Sequence, residues 1–196
     1  NLDAKLREEM RFYVRSLQQE VGITTIYVTH DQAEAMVIAD RIAVMFAGRI
    51  HQLGAPREIY HRPATGMVAE FIGLTNFVEG TVAGQADGHL LLETRLGRLR
   101  CHGRAPEAGT RPARLLAVRP EAIRLSRQPS GDSTANRLEG VVRALAFLGN
   151  LVDYRIEVAP GVGLRVQGDP HAPFAVGDRA HLTFPPDSTW SVPPRE

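Results

Sequence analysis

The sequence predicts two kinds of structure in succession: an α/β segment over residues 1–75 and an all-β domain over residues 76–196. Up to about residue 75, stretches with the apolar spacing of helices alternate with β-branched runs. Beyond that point short strand-like segments follow one another, separated by glycine, proline or Asp87-Gly88, with no helical pattern between them. Many short strands without intervening helices indicate a small barrel or sandwich.

The first element is predicted to be a helix that starts after Asp3 and stops at Gly22. Asp3 stands at the N-cap position, a role worth about 1 kcal/mol, and glycine commonly ends a helix. The apolar residues are spaced by three and four positions, so they lie on one face. They are Leu6, Met10, Tyr13, Val14, Leu17 and Val21.

Residues 24–29 are predicted to be a strand buried on both faces of a parallel sheet, because they are mostly β-branched or aromatic. The strand ends at His30, and Asp31 and Glu34 then have the spacing of a capping box. Ligands of α/β proteins bind beyond the carboxyl ends of such strands, and helix N-termini attract anions. His30 is therefore either a donor to a phosphate oxygen or a histidine satisfied at a strand end.

The rest of the α/β segment is predicted to be a hairpin followed by two short helices. The hairpin strands are residues 41–46 and 49–53, joined by a turn at Ala47-Gly48. Proline favours the start of a helix and glycine its end. The helices are accordingly expected at 57–60, between Pro56 and Pro63, and at 66–71, before Gly73.

The all-β part is predicted to contain nine strands, with one long loop. The loop is residues 127–136, which are polar and rich in turn formers, and the proline-rich tail from Pro185 is expected to fray. Cys101 is expected in the core, and Trp190 is expected to cover a barrel edge. The strands are 77–82, 89–93, 98–101, 115–118, 122–125, 138–145, 152–158, 164–167 and 179–184.

Composition narrows the function classes. The formal net charge of +1 argues against a dedicated polyanion binder, and a single cysteine rules out an intramolecular disulfide. No apolar run approaches the roughly 18 residues of a membrane span, and no signal peptide is evident. The histidines other than His30 show no metal-ligand spacing, so no metal site is predicted. Because the chain begins with Asn1, it is expected to be part of a longer protein.

Residues 95–127 hold nine arginines against Glu107 and Glu121, which raises nucleic-acid binding as an alternative function. Single-stranded nucleic acid needs aromatic platforms for base stacking, and this stretch contains no Phe, Tyr or Trp. No nucleic-acid partner is therefore predicted. The arginines are interpreted as a regulatory or dimerisation surface, or as solvated side chains.

Several ordered motifs in the first part resemble the stretch that follows Walker B in ABC ATPases. One of them is Thr-His-Asp-Gln-Ala-Glu-Ala-Met at 29–36. The full set is residues 2–7, 25–36, 39–45, 48–50, 52–60, 63, 68–73 and 76. The resemblance implies that residues 1–75 are an α/β fragment of a P-loop ATPase domain. Their sheet neighbours are not in this chain, so residues 24–29 are expected to need a partner or to be poorly ordered.

The second part resembles the transport-associated OB (TOBE) domain of sugar, polyamine and ferric-iron importer ATPases. Residues 118–125 look like the most recognisable segment of that domain. Phe147-Leu148-Gly149, Tyr154, Gly177-Asp178 and the final strand fit its second group of strands. The resemblance implies an all-β OB-like barrel with a regulatory role over residues 76–196.

The resemblance also implies roles for two residues. Asp3 matches the D-loop aspartate, which couples two ATP sites across a dimer, and His30 matches the switch histidine, which contacts the γ-phosphate and helps place the attacking water. Thr29, Asp31 and Gln32 are expected to cap and shape the loop rather than to contact ATP. Walker A, the signature motif and Walker B are missing from the chain. ATP and Mg²⁺ are therefore expected in the full-length subunit, with neither tight binding nor hydrolysis by this chain alone.

The expected partners are a second copy of the subunit and the transmembrane permeases, at the cytoplasmic face of the membrane. Residues 72–82 look more like polyamine and iron importers than maltose-type ones. Two alternatives remain open: a non-catalytic OB-like module that senses a small ligand or oxyanion, and the nucleic-acid binder considered above.

Overall fold

A computed structural model describes residues 4–103, 110, 112–171 and 173–194. Asp3, the predicted D-loop residue, lies outside the described residues, as do Arg104, Glu107 and Arg111. No helix in the described part is both long and apolar enough to cross a membrane.

The first helix, α1 (Ala4–Val21), has the predicted length. Gly22 ends it with a φ of 70°, a left-handed value that glycine adopts without strain. The Gly22 N–H donates to the Gln18 carbonyl at 2.9 Å. Of the predicted apolar face, Val14 is partly buried, while Leu6, Met10, Tyr13, Leu17 and Val21 are exposed. A stripe of this kind normally faces a core.

The predicted strand at 24–29 is wrong for this chain, because these residues are not part of any described strand. Ile26 and Val28 are 91% and 92% exposed. A strand buried on both faces needs paired neighbours for its backbone groups and cover for its side chains. The described part of the chain supplies neither, so β-branched composition alone does not produce a strand here.

The remaining elements of the first part follow the prediction closely. They are α2 (Gln32–Ile38), the hairpin β1 (Ile42–Phe46) and β2 (Arg49–Gly54), α3 (Pro56–His61) and α4 (Gly66–Ile72). Ala47 and Gly48, at the hairpin turn, both have positive φ, as a two-residue type I′ turn requires. A small buried cluster joins hairpin and helices and consists of Ile42, Val44, Ile59, Val68 and Ile72.

Among the described residues, the β-rich part contains ten strands arranged in two five-stranded antiparallel sheets. One sheet has the order β12-β6-β3-β4-β5 and the other the order β10-β9-β8-β11-β7. The strands are β3 (Asn76–Ala86), β4 (His89–Thr94), β5 (Gly97–Cys101), β6 (Ala113–Val118), β7 (Arg124–Ser126), β8 (Asn136–Phe147), β9 (Val152–Ala159), β10 (Val162–Gly168), β11 (Arg179–Phe184) and β12 (Thr189–Val192).

Both sheets contribute to one large hydrophobic core, which gives this part its barrel character. Tyr154 and Phe184 are fully buried in it, and the Tyr154 hydroxyl accepts from the Phe174 N–H at 3.1 Å. A buried tyrosine oxygen is tolerated because it has this partner. Cys101 is in the core as predicted, and burial raises the pKa of its thiol to about 12.

The tail from Pro185 does not fray as predicted. Residues Pro186–Ser188 form a 3-10 turn, and β12 then pairs antiparallel with β6 through Trp190 and Ala117. The prolines cap the turn and so do not interrupt the ladder that follows. Ala122 also differs from the prediction, since it belongs to a second 3-10 turn at Pro120–Ala122 rather than to β7.

Candidate functional site

The predicted phosphate-contacting residue, His30, lies in an exposed loop between α1 and α2. It directly precedes Asp31, the N-cap of α2. Its imidazole makes no hydrogen bond to another described residue. The imidazole ring is therefore accessible. The contacts within this chain fix the backbone of the loop and not the ring itself.

That loop is shaped by three side chains. The Asp31 carboxylate accepts from the backbone N–H groups of Ala33 and Glu34, at 2.8 and 3.1 Å. The Thr29 hydroxyl accepts from the Asp31 N–H at 2.9 Å and donates to the Glu34 carboxylate at 2.6 Å. This is a modified capping box, because Thr29, not Glu34, satisfies the N–H of the cap residue. The predicted capping and loop-shaping role of Thr29 and Asp31 is confirmed.

Asp31 also carries the main charge of the loop. The N–H of Glu34 hydrogen-bonds to its carboxylate and, together with the Arg11 guanidinium at 3.0 Å, lowers the pKa of Asp31. Two N–H groups of α2 are thus occupied by an ionised carboxylate. The N–H groups of Ala33 and Glu34 are therefore not free to bind an anion beside His30.

Other contacts fix the loop to its surroundings. The Gln32 amide donates to the Phe71 carbonyl in α4, which fits the predicted shaping role of Gln32. Arg15 of α1 donates to the Ile38 carbonyl at 3.0 Å and pairs with Asp40 at 2.6 Å. Both ends of α2 are therefore tied to other helices, and the position of His30 depends on α1, α2 and α4 together.

A second site lies where the last helix of the first part meets the β-rich part. Arg119, at the end of β6, is buried, and its guanidinium donates to the carbonyls of Ala69 and Gly73 at 2.9 Å each. It also donates to the Leu74 carbonyl at 3.1 Å and to that of Tyr60 at 3.1 Å. One side chain thus satisfies several carbonyl groups near the end of α4.

Aromatic and acidic neighbours complete this junction. The Arg119 guanidinium lies over the Tyr60 ring, 4.2 Å from its centroid, which is a cation–π contact. The Tyr60 hydroxyl donates to the Glu121 carboxylate. Burial and this carboxylate raise the pKa of Tyr60 to about 12. Arg119 is one of the nine arginines at 95–127 that the sequence analysis interpreted as a regulatory or dimerisation surface or as solvated side chains. That interpretation is wrong for Arg119, because it is buried and donates to backbone carbonyls within the chain.

An open groove of about 720 Å³ runs along β8, β9 and β11. Two of its three basic side chains have acidic partners: Arg143 donates to Glu157 at 2.7 Å, and His181 lies 3.2 Å from Glu139. Arg179 also lines the groove. Paired charges of this kind do not form a strongly basic anion pocket.

Comparison with known proteins defines the class first. The TOBE domain family model matches residues 116–192. A cytoplasmic molybdate-binding protein, ModG, aligns with a TM-score of 0.54 over 61% of this chain and 96% of its own. At 16% identity that likeness concerns the fold alone. The TOBE domain match therefore covers the sequence from β6 to β12, and the chain has a ModG-like fold over 61% of its length.

Longer relatives match most of the chain. The spermidine/putrescine import ATP-binding protein PotA of Acidothermus cellulolyticus is 42% identical over 97% of this chain and 51% of its own length. PotA of Thermotoga maritima is 37% identical over 97% of this chain and 54% of its own length. The Fe(3+) ions import ATP-binding protein FbpC of Agrobacterium fabrum is 40% identical over 82% of this chain and 43% of its own length. The chain spans about half the length of these relatives, and its sequence is similar to the C-terminal part of ABC importer ATP-binding subunits.

Proposed function

We propose that this chain is the C-terminal portion of the ATP-hydrolysing subunit of a binding-protein-dependent ABC importer for a polyamine, ferric iron or a related solute. The observation that carries the proposal is the identity of 37–42% to PotA proteins over 97% of the chain. The relatives are named for import of spermidine and putrescine or of Fe(3+) ions. The solute is inferred from relatedness, since an ATP-binding subunit does not itself need to contact it.

The proposed division places residues 1–75 in the P-loop α/β domain and residues 76–196 in the regulatory TOBE domain. The exposed apolar face of α1 and the exposed Ile26 and Val28 support it. An uncovered surface of this kind marks a packing interface. In the longer subunit, the remaining sheet strands would pair with residues 24–29 and cover these side chains.

Within that domain we assign His30 to the γ-phosphate and the attacking water, and Asp3 to communication between two ATP sites. Bound ATP with Mg²⁺ would supply the phosphoryl group and neutralise charge as it transfers. An imidazole can donate one hydrogen bond and accept another, as placing a phosphate oxygen and a water requires. The contacts of Thr29, Asp31 and Gln32 position the backbone from which His30 extends.

The proposed assembly is a homodimer of the full subunit docked on transmembrane permeases, peripheral on the inner face of the membrane. A D-loop aspartate acts across such a dimer, so the assignment of Asp3 and the homodimer stand together. The oxyanion-sensing alternative lacks a supporting site in the groove along β8, β9 and β11, where Arg143 and His181 are paired with carboxylates. The likeness to ModG concerns the fold alone, so it does not support binding of the ModG ligand by this chain.

Nucleotide binding by matched proteins tests the proposal. The 196-residue chain should give no calorimetric signal with ATP-Mg at millimolar concentration, because the phosphate-binding loop is not in its sequence. The full-length subunit should bind under the same conditions. Saturable ATP binding by the 196-residue chain would contradict the proposal that nucleotide chemistry needs the other half of the subunit.

A further inference from the structure

Three side chains far apart in sequence converge at one end of the sheet that contains β4 and β5. The Nε2 atoms of His89 and His102 lie 2.8 and 2.7 Å from the same carboxylate oxygen of Asp187. The two imidazole centroids are 4.7 Å apart. All three potential ligand atoms lie within 4.8 Å of one another. The sequence predicted no metal site, because the histidines are thirteen positions apart and belong to different strands.

Strand register explains how the two histidines meet. In the β4–β5 hairpin, Leu90 pairs with Cys101, and His89 and His102 stand one position beyond this last pair of the ladder. Residues directly opposite one another on antiparallel strands project to the same face, with Cβ atoms about 5 Å apart. Both histidines are present in the sequence, but their proximity can be predicted only once the register of the β4–β5 hairpin is known.

The backbone around the cluster is held by regular structure. The His102 carbonyl accepts from the Ser191 N–H at 2.7 Å, which attaches it to β12. Asp187 lies in the 3-10 turn, closed by the Ser188 N–H donating to the Pro185 carbonyl at 3.0 Å. At Gly103 a Cβ atom would lie only 2.7 Å from the Ser191 Cβ, so glycine permits this close approach. The three groups are thus presented by paired backbone rather than by a free loop.

The donor set has the chemistry of a transition-metal site. Two imidazole nitrogens with one carboxylate oxygen is a ligand combination used for Zn²⁺ and similar ions, at about 2.0–2.2 Å per bond. The His89 side chain is 17% exposed, the His102 side chain 43% and the Asp187 side chain 72%. A metal ion can therefore enter from solvent and keep water molecules as further ligands.

We propose that His89, His102 and Asp187 form a binding site for a divalent transition-metal ion such as Zn²⁺. The ion would replace the two imidazole–carboxylate hydrogen bonds and join β4, the end of β5 and the 3-10 turn before β12. This site is in the β-rich part of the chain and does not depend on the proposed ATPase function. Trp190, the only tryptophan, lies 6.4 Å from the His102 ring, between centroids, and can report on it.

Metal titration of the full chain tests the site. After removal of metal with a chelator, calorimetry with Zn²⁺ should show one ion per chain at the cluster. Co²⁺ should give the visible absorption of a low-coordinate site and quench the fluorescence of Trp190. His102→Ala should weaken Zn²⁺ binding by more than the roughly 10–100-fold typical of residues that only orient a ligand.

Two variants separate metal binding from a purely hydrogen-bonded cluster. Asp187→Asn keeps an oxygen that accepts hydrogen bonds but removes the charge, and it should weaken Zn²⁺ binding by at least about tenfold. His181→Ala is the matched control, because His181 also pairs with a carboxylate, that of Glu139 at 3.2 Å, but no second histidine among the described residues pairs with Glu139. It should leave Zn²⁺ binding unchanged.

Circular dichroism of the metal-free variants establishes that each is folded, which the exposure of His102 and Asp187 favours. Absence of Zn²⁺ binding by the unsubstituted chain would overturn the proposal. Binding that survives both His102→Ala and Asp187→Asn, or that falls equally with His181→Ala, would overturn it as well, since the ion would then be held elsewhere.

Discussion

At the scale of single residues, Arg119 contributes more to the structure than its position at a strand end suggests. It is 7% exposed, and its guanidinium serves carbonyl groups on α3, α4 and the segment after α4. Arginine suits this position because its donors form a rigid planar fork that also stacks on Tyr60. Lysine has the charge but not this geometry.

Substitution of Arg119 should therefore destabilise the chain strongly. Arg119→Ala leaves buried carbonyl groups without donors, and we expect the free energy of unfolding to fall by about 2–4 kcal/mol. Arg119→Lys should recover only part of that loss. Urea unfolding followed by fluorescence of Trp190 gives the values.

Arg124→Ala is the matched control, because Arg124 is an exposed arginine on the neighbouring β7. It should change stability by less than about 0.5 kcal/mol. Equal losses for Arg119→Ala and Arg124→Ala would refute the junction role.

At the scale of secondary-structure elements, the structure shows which local sequence patterns are enough to predict a helix, strand or turn. Local signals were enough for α1, which Gly22 ends, and for the turn of the β1–β2 hairpin at Ala47-Gly48. They failed for residues 24–29, because a strand is completed by its neighbours and not by its own composition. They failed also for β12, where the prolines just before it suggested fraying but instead form a turn that leads into a paired strand.

The short helix α2 depends on its cap, and Asp31 allows that dependence to be measured. Asp31→Ala removes the acceptor for the N–H groups of Ala33 and Glu34 and should cost about 1 kcal/mol at neutral pH. Asp31→Asn keeps a capping oxygen but not the charge that pairs with Arg11, so it should cost less.

The pH dependence follows from the lowered pKa of Asp31. Because the folded-state pKa lies below the ordinary value of 3.8, the charge contribution is fully present above that value and is lost as pH falls through the folded-state pKa. The stability difference between the unsubstituted chain and Asp31→Asn should thus shrink on acidification from pH 6 to pH 2.5 in thermal unfolding. A difference that stays constant over this range would argue against an ionised cap.

At the scale of the whole molecule, the chain has a well-formed β-rich part and a first part with uncovered apolar surface. The two sheets share a core that includes Leu116, Ile156 and Leu182, all fully buried. By contrast Phe12 and Tyr13 of α1 are exposed. The all-β organisation could be read from the sequence because its strands pair with one another. The conformation of residues 24–29 could not, because their β-branched composition predicts a strand, yet they pair with no described strand of this chain.

Hydrogen exchange should reveal this difference directly. Amides of residues 23–29 are in no described strand or helix, so they should exchange within seconds in the 196-residue chain. In the full-length subunit they should be protected as members of a sheet. The amides of β9 serve as the internal control and should be protected in both proteins. Equal, rapid exchange of residues 23–29 in both proteins would mean that the rest of the subunit does not pair with them.

The central claim is that His30 is the γ-phosphate contact of an importer ATPase, and steady-state ATP turnover by the full-length subunit tests it most directly. His30→Ala should lower kcat by at least about 100-fold, as loss of one positioned transition-state donor does, while circular dichroism stays unchanged. His171→Ala, at an exposed histidine of the TOBE domain, should leave turnover intact. Near-normal turnover by folded His30→Ala would contradict the account.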